Sequence, residues 1–235
     1  LGCDVNQLTE LNVNGNKALT HLSCSYNQLT GLDVTVNKAL RILYCGGNQL
    51  TELYVTNNKA LTYLDCVSNN LTELDVTNNT ALENLYCGDN QLTRLGVTNN
   101  MALTGLNCGN NDLTELDVTG NPALTQLDCR ENQLTELDVT GNTALIRLYC
   151  SSNDLTELNV TGSIALTYLN CDYNELTEFD VSNNQNLIYF HCTGNPGVNG
   201  VLRVKVWPGF SDVPEGFDSG SYVYNGSTVT IEYWK

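Results

Sequence analysis

The sequence predicts an α/β-class repeat solenoid with little or no helix. Short strands from successive turns stack into a parallel sheet, and a small β cap closes the C-terminal end. Three observations predict it. Ten cysteines (Cys3, Cys24, Cys45, Cys66, Cys87, Cys108, Cys129, Cys150, Cys171 and Cys192) recur at a constant interval of 21 residues. Around each runs one unit, LxxLxCxxNxLTxLDVTxNxA, which persists to about residue 198. The pattern then stops, and an alternating tail with Pro208 and Pro214 follows. A fixed period of this length marks a stacked architecture, because one unit cannot bury its own apolar side without its neighbours. The expected division is residues 1–198 as about ten turns and residues 199–235 as the cap.

Each position of the unit has a physical reading. In Leu61-Thr62-Tyr63-Leu64-Asp65-Cys66, Leu64 and Cys66 are two apart, so a short strand turns both inward. Parallel strands lie about 4.8 Å apart, which makes ten turns a rod or shallow arc of about 45 Å. An asparagine leaves each strand at one fixed place, from Asn27 through Asn48, Asn69, Asn90, Asn111, Asn132 and Asn153 to Asn174. A buried amide there can pair backbone groups that the bend would otherwise strand. Leu74 and Val76 fill the core from the return segment. A second asparagine row (Asn58, Asn79, Asn100, Asn121, Asn142) with a small residue two positions on (Ala60, Ala81, Ala102, Ala123, Ala144) makes the last corner. Ser163 and Asn186 break these two rows, and Phe179 and Phe190 replace leucines.

Composition narrows the partner. The net charge is −16, from 26 acidic and 10 basic residues. That balance argues against nucleic acid, whose phosphates need a basic footprint, and against an anionic membrane surface. It favours a neutral or cationic partner. No apolar run approaches the roughly 18 residues of a membrane span, so no membrane insertion is expected.

The LxxLxCxxNxL unit with its central cysteine resembles leucine-rich repeats, and more closely internalin J and related bacterial surface proteins with a cysteine ladder. It is also similar to leucine-rich-repeat proteins of gut Bacteroidetes. The resemblance covers over four fifths of the chain. It implies an extracellular adhesin-type protein, secreted or attached at a bacterial surface, without saying which partner is bound. The partner expected is a host or bacterial surface protein or glycan, and the chain is expected to be a monomer. Leu1 and Cys3 already lie in register with Leu22 and Cys24. The expectation is therefore a chain trimmed upstream, without its targeting segment or N-terminal cap.

The cysteines are read as free thiols. Stacked side chains point the same way, so Cβ atoms are expected about 4.8 Å apart, beyond the usual 3.5–4.5 Å of a disulfide; bridging of adjacent turns is the alternative. CxxC clusters of the kind that hold zinc are lacking, and no metal or cofactor is expected. His21 and His191 are eight turns apart, about 40 Å by strand spacing, and no hydrolase, protease, phosphate or dinucleotide motif occurs. An enzyme is not expected. Two acidic columns (Glu10, Glu52, Glu73, Glu115, Glu136, Glu157, Glu178; Asp33, Asp75, Asp117, Asp138, Asp180) read as a solvated face, with weak calcium binding as the alternative.

The outward strand residues, on the face that leucine-rich-repeat proteins make concave, carry the candidate ligand-binding residues. One aromatic group is Tyr44, Tyr63 and Tyr86; a second is Tyr149, Tyr168, Tyr189 and His191, with Arg147 beside it. Gly105, Asn107 and Gly109 form a bare saddle between them. Exposed tyrosines suit recognition, since each combines apolar area with a hydrogen bond at low entropy cost; the alternative is that tyrosine simply suits an exposed strand. The function expected is non-catalytic binding of a protein or glycoprotein through this face, with a structural spacer or stalk at the cell surface as the other reading. In the tail, Val201–Trp207 alternates like a strand, and Tyr222–Val229 reads as a hairpin about Asn225-Gly226. A cap over the last turn, or a small separate module, would satisfy that pattern.

Overall fold

The computed structural model describes residues 1–235. It is a solenoid of about nine turns, built of strands and turns without helix. One three-residue strand comes from each turn: β1 (His21–Ser23), β2 (Ile42–Tyr44), β3 (Tyr63–Asp65), β4 (Asn84–Tyr86), β5 (Gly105–Asn107), β6 (Gln126–Asp128), β7 (Arg147–Tyr149) and β8 (Tyr168–Asn170). The ninth strand of the sheet, β10 (Tyr189–His191), pairs with β8. All pairs are parallel and register is kept at 21 residues, so that Leu64 faces Leu43 and Leu85. An isolated bridge from Gly2 to Ser23 adds a rung at the N-terminal edge.

The period dictates the core. In the turn of Cys66, Leu61, Leu64, Cys66, Leu71, Leu74 and Val76 are all buried, and equivalent residues of neighbouring turns lie above and below. The apolar interior is one continuous cluster of 58 buried residues that also takes in Leu202, Val204, Phe217 and Ile231 from the tail. The tail thus shares the solenoid core.

Two asparagine rows hold the bends, by different means. Asn69 Nδ2 donates to the carbonyls of Cys45, Cys66 and Val67, and its Oδ1 accepts the N–H of Leu50. Neighbouring turns are thereby stitched at every repeat. In the second row, Asn79 Nδ2 donates to the carbonyls of Val55 and Asn58, while Oδ1 is buried without a partner. Ser163, where the row is broken, keeps one of those bonds, from Oγ to the carbonyl of Val139. A further column sits two residues after each cysteine. Tyr26, Ser68, Asp89, Asn110, Glu131, Ser152 and Tyr173 have φ of 53–56°, and Gly47 and Gly194 occupy the same place at 65° and 72°. The chain swings through the left-handed region once per turn, whatever residue stands there.

At the C-terminal end the return segment itself becomes a strand, β9 (Glu178–Asp180). It pairs in parallel with β11 (Val201–Lys205), which pairs with β13 (Ser227–Trp234); β12 (Ser221–Tyr224) completes this second sheet antiparallel to β13. The β12–β13 turn holds Asn225 and Gly226 at φ of 47° and 79°, the two positive values that a type I′ hairpin turn requires. Phe190 and Phe179 pack edge to face at 5.5 Å, and Phe190 meets Phe217 at 5.6 Å. The larger rings thus fill the space between the last turn and the tail.

Candidate functional site

The strands carry their odd residues outward in step, and this brings the tyrosines together. Ring centroids of Tyr44 and Tyr63 are 4.9 Å apart, and those of Tyr63 and Tyr86 are 5.5 Å apart. In the second group Tyr149–Tyr168 is 4.8 Å, Tyr168–Tyr189 is 5.7 Å and Tyr168–His191 is 5.7 Å. Such tilted pairs fall within the range where aromatic rings attract beyond simple burial. Burial, then the neighbouring Tyr86 and Tyr44, pushes the Tyr63 hydroxyl well up; burial, then Tyr149, raises that of Tyr168. Both therefore stay protonated and available as donors.

Three features of this face go beyond what strand alternation predicts. Arg147 is exposed in β7, and the guanidinium that lies over an aromatic ring is that of Arg130, 5.5 Å from the Tyr149 centroid. Arg130 is held there by Asp128, at 2.7 Å from Nη2 to Oδ2. Asp128, in an outward column, is itself only 3% exposed because that guanidinium covers it. The glycine saddle is not bare: Asn84 Oδ1 leans over Gly105, where an added Cβ would stand 2.7 Å away.

The tail contributes a residue that sequence reasoning missed. Asp218 reaches the second aromatic group, with Oδ1 3.2 Å from Nδ1 of His191 and Oδ2 accepting the N–H of Cys192 at 2.8 Å. Asp172, from the preceding turn, accepts the N–H and the hydroxyl of Thr193. Burial raises the Asp172 carboxyl above its usual range; the Thr193 bonds oppose this and the charge of Asp218 adds to it. Nothing local in sequence ties Asp218 to a residue 27 positions earlier.

The acidic columns lie elsewhere. A groove of about 970 Å³ runs along the return segments, with Glu115, Asp117, Glu136, Asp138 and Glu157 on its walls. Asp33, Asp75, Asp117 and Asp138 each accept the hydroxyl and the N–H of the threonine two residues on. The threonine hydroxyl, then its N–H, holds these carboxyls below the usual range. Their Oδ1 acceptors are spent on the bend itself. The groove is larger than the 210 Å³ hollow beside Tyr63 and Tyr86, but it lacks the aromatic anchors that concentrate binding energy.

The parallel sheet, the buried cysteine of each turn and the asparagine stitches define a leucine-rich-repeat solenoid with a cysteine ladder. It is similar to the functional domain of InlJ from Listeria monocytogenes, which includes a cysteine ladder, at 42% identity and a TM-score of 0.68. The match covers 83% of this chain and 48% of that one, so the chain spans about half the length of the InlJ structure. An internalin, InlF, from the same organism shares the fold at 24% identity and a TM-score of 0.69, over 77% of this chain and 56% of that one. The plant peptide hormone receptor RGFR1, solved in complex with RGF2, shares it at 23% identity and a TM-score of 0.69, over 82% of this chain and 34% of the receptor. No protein-family model matches the chain, nor does any curated protein sequence.

Proposed function

We propose that the protein is a non-catalytic, adhesin-like binder, acting outside a bacterial cell or at its surface, which takes a protein or glycoprotein ligand on the tyrosine-bearing concave face. The observation that carries this reading is the pairing of tyrosine rings across turns. Tyr44, Tyr63 and Tyr86 make one amphipathic platform; Tyr149, Tyr168, Tyr189 and His191 make the other, with Arg147 exposed beside them. Each platform spans successive turns and presents hydroxyls on apolar rings, which suits a sugar ring or an apolar loop. A stalk with no ligand has no need of such rings. The likeness to the InlJ domain supports a surface role, and no helix is long and apolar enough to cross a membrane. Residues 1–198 would supply the binding surface, and residues 199–235 would seal its end.

An array of bacterial and host surface glycans and proteins, probed with the purified chain, tests the reading. For the ligand found, Tyr168→Ala/Tyr189→Ala should weaken binding about thirtyfold or more with the fold intact, since anchors of this kind cost about 2 kcal/mol or more. Glu136→Ala/Asp138→Ala should leave affinity within about twofold, a few tenths of a kcal/mol. Loss in the acidic variant alone would move the site to the groove. An array without any ligand would favour the stalk.

A further inference from the structure

We propose that Asp172, His191 and Asp218 form a binding site for one divalent transition-metal ion of the zinc type, a site that exists only because the tail closes over the last turn. Each residue offers one ligand atom, and these atoms all lie within 4.8 Å of one another. A single ion can reach all three with small side-chain adjustments at the roughly 2.0–2.2 Å that zinc keeps to imidazole nitrogen and carboxylate oxygen. Nδ1 of His191 stands 3.2 Å from Oδ1 of Asp218. Two ligands at tetrahedral angles on one zinc ion are about 3.3 Å apart, given those bond lengths. The spacing of His191 and Asp218 already fits, and Asp172 needs to close in on them.

Both carboxylates are also aimed. Asp172 spends Oδ1 on the N–H and hydroxyl of Thr193, and Asp218 spends Oδ2 on the N–H of Cys192 and, at 3.3 Å, of Thr193. The second oxygen of each has no donor other than the imidazole. Backbone-anchored ligands of this kind are what fix orientation in metal sites. The imidazole sets the preference: one nitrogen with two carboxylates suits zinc-type ions, whereas calcium sites take six or more oxygens. His191 and Asp218 keep 33% and 21% of their side-chain surface exposed, so an ion can enter and a fourth position stays open, as in accessible zinc sites. The ion would fasten the tail to the turn of Cys171. It would also put positive charge at the edge of the second tyrosine group, one ring from Tyr168, in a chain of net charge −16. His191 is shared with the second tyrosine group, but metal uptake needs no protein or glycan ligand and is tested without one.

The test is titration of Zn²⁺ into the purified full chain by calorimetry, with thermal unfolding followed in parallel. One ion per chain and a rise in Tm are expected. His191→Ala and Asp218→Asn should each weaken uptake about tenfold or more while far-ultraviolet circular dichroism stays unchanged. His21→Ala at the opposite end should bind as the parent does. Cys3→Ser controls for the one thiol that is not fully buried. Absence of uptake, uptake unchanged in both His191→Ala and Asp218→Asn, uptake lost in Cys3→Ser, or a response to Ca²⁺ without one to Zn²⁺ would each overturn the assignment.

Discussion

The ring of Tyr26 packs against Gly47, its counterpart one turn on: a methyl group on Gly47 would stand 2.6 Å from Cδ1 and 3.0 Å from Cε1 of the ring. The pair recurs as Tyr173 over Gly194, at 2.5 Å. In both pairs tyrosine and glycine occupy the left-handed position of consecutive turns. Glycine is demanded twice at Gly47, by its φ of 65° and by the ring against it.

Gly47→Ala is therefore expected to destabilise the chain by about 2 kcal/mol or more, of which about 1–2 kcal/mol is left-handed strain and the rest overlap with the ring. In a Tyr26→Ala background only the strain should remain. A double-mutant cycle by urea unfolding should show coupling of at least about 0.5 kcal/mol; additive losses would show that the ring is free to move aside.

The two asparagine rows are expected to differ in worth. Asn111 makes four bonds, from Nδ2 to the carbonyls of Cys87, Cys108 and Gly109 and through Oδ1 from the N–H of Leu92. Asn111→Ala should cost about 1–3 kcal/mol. Asn121 makes two bonds and buries Oδ1 unpaired, so Asn121→Ser, which copies Ser163, should cost clearly less. Asp117→Ala, on the exposed column, should stay within about 0.5–1 kcal/mol. Equal midpoint shifts for all three in a denaturant titration would contradict these assignments.

The aspartate column gives the protein a pH dependence of definite sign. Asp75, Asp117 and Asp138 have their folded-state carboxyl affinities for protons lowered by the threonine bonds. Their stabilisation is present above the ordinary aspartate value of about 4 and is lost as pH falls through the lower folded value. Asn159, in the same column, accepts from Thr161 in the same way without a charge. The triple variant Asp75→Asn/Asp117→Asn/Asp138→Asn should therefore lose less stability than the parent between about pH 5 and pH 2. Urea midpoints across that range decide it; a steeper loss in the variant would reverse the sign.

The thiols should be free in number yet inert in the folded state. Nine of the ten are buried, and burial pushes them up, Cys24 to about 12 and Cys45, Cys87, Cys129 and Cys171 well above the ordinary value. Titration of the denatured chain without reductant should find close to ten groups. In the native chain only Cys3 should react quickly, because the thiolate is the reactive form. Two or fewer groups in the denatured sample would mean that adjacent turns are bridged.

The core was legible because its rule is periodic: Leu64, Cys66 and Val76 repeat at every turn, and a repeat that buries them once buries them everywhere. The neighbourhood of Tyr149, Tyr168 and Tyr189 was legible for the same reason, since positions 21 apart become adjacent. What broke the period was harder to read. The left-handed column holds Val5, Tyr26, Asp89 and Glu131, residues with no shared preference; backbone geometry, not side-chain chemistry, sets their conformation. Arg130 lies over Tyr149 because buried Asp128 holds its guanidinium, a pairing that strand alternation alone does not reveal. Asp218 arrives through the fold of the tail, and β9 forms only because β11 lies beside it.

The stitches of the first asparagine row reach only the same turn and its immediate neighbours, so no turn depends on a distant one for its register. Insertion or deletion of a whole 21-residue unit keeps the asparagine stitches in register, whereas a loss of ten residues breaks the register at the turn that loses them. The gap between Tyr86 and Tyr149 is thus a length that gene duplication can change, in steps of about 4.8 Å, without redesign of either end. On the proposed reading such a molecule would work as a ruler, and a population of variants with different numbers of turns would display the same two tyrosine groups at graded separations.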